Sequence, residues 1–189
     1  MNTPTFTTRV WHLPEIPPPP VRVLAVDPGT RYMGVALLVG GELNRSDVEN
    51  IRQVGTIHTK AQRVLRLWIR RHRPDFLALE LPHFAQSKGS RSLRRLVTAI
   101  RTLAEKEGVE VRCYPPTAVR RFVCRTGRPT RLAVAREVAT RFPWLGMYYR
   151  KEAAKSWWRK SYWLSMFDAI AVGLVCHEDQ MRRKRRTAA

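Results

Sequence analysis

The sequence predicts one α/β domain on a five-stranded mixed sheet, three antiparallel strands followed by two parallel ones, flanked by helices. Two apolar runs at 21–26 and 34–39 lie too close together for anything but an antiparallel pair. Strand-length apolar runs at 76–81 and 109–114 then alternate with stretches of helical periodicity, the pattern of parallel β-α-β units. A length of 189 residues with 44% hydrophobic content suits one such domain with a proper core.

Residues 1–20, ending in Pro17-Pro18-Pro19-Pro20, are expected as an extended arm outside the fold. The domain proper runs over 21–180, and 181–189 form a basic tail, whose Arg182-Arg183-Lys184-Arg185-Arg186 is expected as a mobile phosphate-binding arm. The first strand, 21–26, ends in the turn Asp27-Pro28-Gly29-Thr30 and returns over 34–39. Gly40-Gly41 turns the hairpin toward a third strand expected at 51–59. Residues 61–72 carry Val64, Leu65, Trp68 and Ile69 at helical spacing, closed by Pro74-Asp75 ahead of the fourth strand, 76–81. A second helix, 91–107, carries Leu93, Leu96, Val97, Ile100 and Leu103; Gly108 ends it, and the fifth strand covers 109–114. Helices at 116–124 and 130–142 flank Arg125-Thr126-Gly127-Arg128, and 161–177 reads as a buried final helix. The order is βββαβαβααα, without internal repeats.

Lys and Arg number 35 against 15 Asp and Glu, a formal charge of +20. Such an excess attracts polyanions, and its Arg-rich character favours phosphate geometry, so nucleic acid is the expected partner. No apolar run reaches the roughly 18 residues of a membrane-spanning helix. Cys113, Cys124 and Cys176 are odd in number and lack CxxC spacing, which argues against a disulfide framework and a zinc site. Residues 1–20 lack the basic start and apolar core of a signal peptide, so a cytoplasmic location is expected.

Three acids stand in apolar segments. Asp27 ends Leu24-Ala25-Val26, Glu80 ends Phe76-Leu77-Ala78-Leu79, and Asp168 opens Ala169-Ile170-Ala171-Val172. A carboxylate among core residues costs several kcal/mol unless a positive group compensates it. One such acid reads as a cap or turn; three in a chain short of acids read as a site for a hard metal ion.

The segments Val26-Asp27-Pro28-Gly29-Thr30, Gly55-Thr56-Ile57-His58-Thr59-Lys60, Arg73-Pro74-Asp75-Phe76-Leu77-Ala78-Leu79-Glu80 and Asp168-Ala169-Ile170-Ala171-Val172, in this order, resemble the RuvC-type Holliday junction resolvases of the RNase H-like (retroviral integrase) superfamily. The resemblance covers about residues 21–178. It implies an RNase H-like fold and a homodimeric endonuclease that nicks four-way DNA junctions, with two Mg²⁺ ions per site on Asp27, Glu80 and Asp168 and Mn²⁺ able to substitute. Its basic catalytic positions, usually Lys, fall on Arg120 and Arg131, for which a permanent charge allows electrostatic roles only. Branch-migration machinery as a further partner is not legible in the chain. The apolar stripe of 91–107 either packs on the sheet or forms the dimer face.

One position departs from the family pattern. Where a fourth acid or imidazole ligand is usual, one turn before the last Asp, this chain has Ser165. Asp179 shares that helix face, but eleven residues at about 1.5 Å rise put it roughly 16 Å from Asp168. His177 points to the opposite face and reads as structural. Glu152 and Glu178 have no sequence support as ligands.

For DNA contact the candidates are Lys88, Arg91, Arg94, Arg95, Arg120, Arg121, Arg125, Arg128 and Arg131, as phosphate clamps or solvated helix faces. By resemblance, Phe84, or alternatively His83, in the loop after Glu80 would probe unstacked bases. Trp144, Tyr148, Tyr149, Trp157, Trp158, Tyr162 and Trp163 interleave with basic residues; packing is expected for the Trp residues and DNA contact for the basic ones. Two alternatives stand beside the nuclease: a junction-binding protein on the same scaffold, and a relative of the RuvX/YqgF branch, whose pattern Asp27–Ala36 also matches but Glu80 fits less well.

Overall fold

The computed structural model describes residues 19–51, 57–81, 88–155 and 161–187. Its elements are β1 (Arg22–Asp27), β2 (Tyr32–Val39), β3 (Glu42–Asn50), α1 (Ile57–His72), β4 (Phe76–Glu80), α2 (Lys88–Lys106), β5 (Glu110–Tyr114), α3 (Pro116–Val123), α4 (Arg131–Arg141), a 3-10 turn (Pro143–Leu145), α5 (Gly146–Ala153) and α6 (Leu164–Thr187). The sheet order is β3-β2-β1-β4-β5. β1–β2 and β2–β3 pair antiparallel, β1–β4 and β4–β5 parallel, which is the mixed sheet the sequence predicts.

Period-2 alternation divides the core into two layers. Leu24, Val26, Leu77 and Leu79 face α1 and α2; Val23, Ala25 and Ala78 face α6, with α4 behind it. The apolar stripe of α2 belongs to the first layer. Leu96 and Ile100 are fully buried and Leu103 nearly so, with Leu93 packed against them, so the stripe is consumed inside one chain and is not a dimer face.

Helix α6 lies flat on the sheet because small residues let it. A Cβ on Gly173 would come 2.3 Å from Leu38 Cδ1 and 3.0 Å from Ala25 Cβ, so the helix backbone rests almost on the strands there. At its other end a Cβ on Gly34 would lie 1.8 Å from the Ser165 carbonyl oxygen. These two close approaches fix the height and tilt of α6.

Three expectations need correction. The third strand is Glu42–Asn50, directly after the Gly40-Gly41 turn; of the expected 51–59, Ile51 is a turn residue, 52–56 lie outside the described residues and 57–59 open α1. As an edge strand, β3 is exposed or half-buried everywhere but at Val48, and its polar sequence carries no apolar alternation to read. Helix α5, within the aromatic and basic stretch, was not expected. The basic residues 182–186 form the exposed last turns of α6, not a separate arm. The expected arm lies outside the described residues except for Pro19 and Pro20.

Candidate active site

The pleat brings the acids together. Asp27 and Glu80 follow the last registered β1–β4 pair, Val26 with Leu79, so they stand side by side at the carboxyl ends of parallel strands. They share parity with Ala25 and Ala78 and therefore point to the α6 face. Gly34, opposite Asp27 on β2, admits the first turn of α6 against the sheet, which lowers Ser165 and Asp168 onto the same end. The result is a cleft of about 290 Å³ lined by Asp27, Pro28, Gly29, Glu80, Pro116, Arg120, Arg131, Ser165 and Asp168. The two cations come from the helices that follow β5. Pro115 and Pro116 start α3, which carries Arg120, and Thr130 caps α4 by accepting from the Ala133 N–H at 3.1 Å, which puts Arg131 in the first turn.

Arg131 is unfavourably placed for the helix dipole, and the acids compensate it. Its Nε donates to Asp168 Oδ2 at 2.5 Å, and its Nη2 reaches Asp27 Oδ2 at 3.4 Å. The guanidinium thus lies between two of the three carboxylates. Burial pushes the Asp27 carboxyl up to about 7, with the Asp168 charge adding to the rise and Arg131, the Ser165 hydroxyl and Arg120 opposing it. Glu80 is driven further, to about 9, by burial and then by the charges of Asp27 and Asp168. Asp168 is also raised by burial, against the pull of Arg131. Three buried carboxyl groups crowd against two arginines, and the crowding keeps protons on them above the ordinary carboxylate range.

Among the described residues no three or more His, Cys, Asp or Glu side chains are gathered so as to hold a metal ion. The guanidinium of Arg131 takes the cationic place between Asp27 and Asp168. The donor chemistry still fits a hard divalent ion: carboxylate oxygens, one hydroxyl, and raised carboxyl pKa values that a second positive charge would relieve. Ser165 is 8% exposed, and its hydroxyl stands beside Asp27, where it opposes the rise of that carboxyl.

The other sequence candidates are dispersed. Arg91, Arg94 and Arg95 are exposed on α2, in the layer across the sheet from the acids. Arg121 and Arg125 line a second groove, and Arg128 is exposed in the loop before α4. His83, Phe84, Trp157 and Trp158 lie outside the described residues, as does the side chain of Lys88. Tyr148 and Trp163 pack with ring centroids 4.3 Å apart, while Trp144 is 60% exposed.

Glu152 is a positioning residue the sequence did not reveal. Its buried Oε1 accepts from Lys155 Nζ at 2.6 Å, Tyr162 N–H at 3.0 Å and Trp163 N–H at 2.7 Å, anchoring the chain as it enters α6. An acid in a stretch of Arg, Lys and Trp gives no sequence signal of that role.

No protein-family model matches the chain. The crossover junction endodeoxyribonuclease RuvC of Sorangium cellulosum (strain So ce56) is 31% identical over 125 residues, spanning 61% of this chain and 69% of that protein. The structure of Thermus thermophilus RuvC in complex with Holliday junction substrate matches with a TM-score of 0.64 at 19% identity, over 85% of this chain and 96% of the other. That of the yeast mitochondrial Holliday junction resolvase matches with 0.55 at 12%, over 89% and 85%. These likenesses establish the RNase H-like fold. Taken with the extent and identity of the Sorangium match, they show that the chain belongs to the RuvC family of crossover junction endodeoxyribonucleases.

Proposed function

We propose that this chain is a metal-dependent endonuclease that resolves four-way DNA junctions by paired hydrolysis of phosphodiesters, acting as a homodimer. The observation that carries the reading is the convergence of Asp27, Glu80 and Asp168, from β1, β4 and α6, in one cleft edged by Arg120 and Arg131. Family membership supplies the substrate class.

Asp27, Glu80 and Asp168, with the Ser165 hydroxyl or water beside them, are the groups that would hold Mg²⁺ in this cleft. When bound, the ions supply a lowered water pKa and charge neutralisation at the leaving oxygen. Arg120 and Arg131 are permanent cations and donate no catalytic proton; they orient the scissile phosphate and balance its charge. Arg131 must turn from the carboxylates toward the phosphate to do so. The buried floor around the acids keeps bulk water from screening these interactions. Two chains related by a two-fold axis match a junction cut on symmetric strands.

A second reading, a binding protein that has lost catalysis, is favoured by the Arg131 bridge and by Ser165 in place of an acid. Incubating labelled mobile four-way junction and linear duplex with Mg²⁺, Mn²⁺ or EDTA separates the two. The nuclease reading expects metal-dependent paired nicks in the junction and little cutting of duplex. Tight junction binding with no cutting in either metal establishes the binding protein instead.

A further inference from the structure

A second groove lies apart from the acid cleft. It encloses about 640 Å³ between α3, α4 and α6, and four arginines surround it: Arg121, Arg125, Arg141 and Arg182. Val138 and Leu174 lie in its apolar floor, and Phe122 stands at its side, 39% exposed. Its one acid, Glu137, is held by Arg136 at 2.9 Å. Arg141 and Arg182 are already tethered, Arg141 by the Gly41 carbonyl at 3.1 Å and Arg182 by Glu178 at 3.0 Å. Arg121 and Arg125 make no ion pair or side-chain hydrogen bond among the described residues, and both are exposed.

Helix α3 connects this groove to the acids. Arg120 lines the acid cleft and Arg121, the next residue, lines the groove, so one short helix forms the wall between the two. A helix with its side chains is about 10 Å across. At ~3.4 Å per nucleotide of a strand, that width corresponds to about three nucleotides. Guanidinium groups set around an apolar floor with an exposed aromatic ring suit a phosphodiester backbone with a base against the ring, more than an acidic peptide.

Resting on the nuclease reading, we infer that this groove binds the DNA strand as it leaves the acid cleft, holding phosphates about three nucleotides from the one cut. Arg121 and Arg125 are the contacts free to engage it, while Arg141 and Arg182 set the positive potential of its far wall. The groove is thus a second DNA site that fixes where along the strand the acids act.

The experiment measures junction affinity by fluorescence anisotropy in EDTA, across a KCl series, with the full chain. Arg121→Ala/Arg125→Ala is compared with Arg63→Ala/Arg71→Ala, which removes the same charge from exposed positions on α1, across the sheet. Circular dichroism confirms that both fold. The groove pair is expected to lower the log–log salt slope by about 1.8, from two phosphate contacts, and the control pair by less than half of that. A neutral methylphosphonate scanned along the strand should weaken wild type most about three nucleotides from the cut. At that position it should weaken the groove variant no further. Equal losses from both pairs, or none from the groove pair, overturn the inference while leaving the nuclease reading intact. A wild-type chain that binds no DNA overturns both, and binding of a poly-glutamate peptide in preference to DNA assigns the groove to a protein partner instead.

Discussion

Arg131 Nε donates to Asp168 Oδ2 at 2.5 Å while its Nη2 lies 3.4 Å from Asp27 Oδ2, so the chain carries its own cation between two acids assigned to metal. Two unit charges about 4 Å apart interact by roughly 4 kcal/mol at an effective dielectric of 20, enough to compete with a weakly held ion. Arg131→Ala should therefore bind Mn²⁺ about tenfold more tightly without DNA, as read by electron paramagnetic resonance, and cut more slowly once DNA is present. Unchanged Mn²⁺ affinity would make Arg131 a structural tether only.

The raised carboxyl groups fix the sign of the pH dependence. Folded Asp27 and Glu80 hold protons up to about 7 and about 9, whereas the unfolded chain releases them near pH 4. Metal-free stability from these groups is present below about pH 4 and is lost as pH rises through the folded values. Metal binding must expel the same protons, so affinity should rise from pH 6 to 9, with proton release seen by calorimetry in buffers of different ionisation enthalpy. Glu80→Gln should raise the metal-free Tm by about 3 °C at pH 8, the shift that ~1 kcal/mol gives a domain of this size. Metal affinity that is flat with pH would contradict these assignments.

Gly34→Ala tests how the site is assembled. Its Cβ would press on the Ser165 carbonyl, which is backbone and cannot rotate away, so α6 must lift from β2 and carry Asp168 off Asp27. Overpacking of this kind costs about 1–3 kcal/mol. Cutting should fall at least a hundredfold while junction affinity changes less than about threefold, because the basic surface is unmoved. Equal losses in both would mean that the fold itself has failed.

The parts of the fold governed by apolar periodicity were legible in the sequence, and so were the acids, because a carboxylate at the end of a buried strand is anomalous by itself. What was not legible depends on contacts between distant segments. β3 is an exposed edge strand whose polar residues give no period, and α5 lies where aromatic and basic residues obscure the helical pattern. The stripe Leu93, Leu96, Ile100, Leu103 looks the same whether it meets α1 and the sheet or a second chain. Arg131 was placed in the site by resemblance, but its bridge to Asp27 and Asp168 joins residues 104 and 37 positions apart. The glycine at 34 marks nothing in sequence until α6 is laid over it.

Ser165→Asp restores an acid at the position where the family pattern has one. Ser165 and Asp27 line the same cleft, so the new carboxylate would stand beside the central acid. It should lower the Mg²⁺ concentration for half-maximal cutting severalfold and reduce any preference for Mn²⁺, while lowering metal-free stability through one more buried charge. Metal dependence unaltered by Ser165→Asp, with Ser165→Ala silent, would show that another group completes the site.

The most direct test of the three-acid site is Asp27→Asn beside wild type on one labelled mobile junction, with cleavage followed in Mg²⁺ and affinity in EDTA. The substitution removes one charge from an acid at the centre of the site that would hold the metal and leaves the arginines in place. Cutting should fall below detection while Kd stays within about threefold of wild type. Cutting by Asp27→Asn at the wild-type rate would contradict the metal assignment outright.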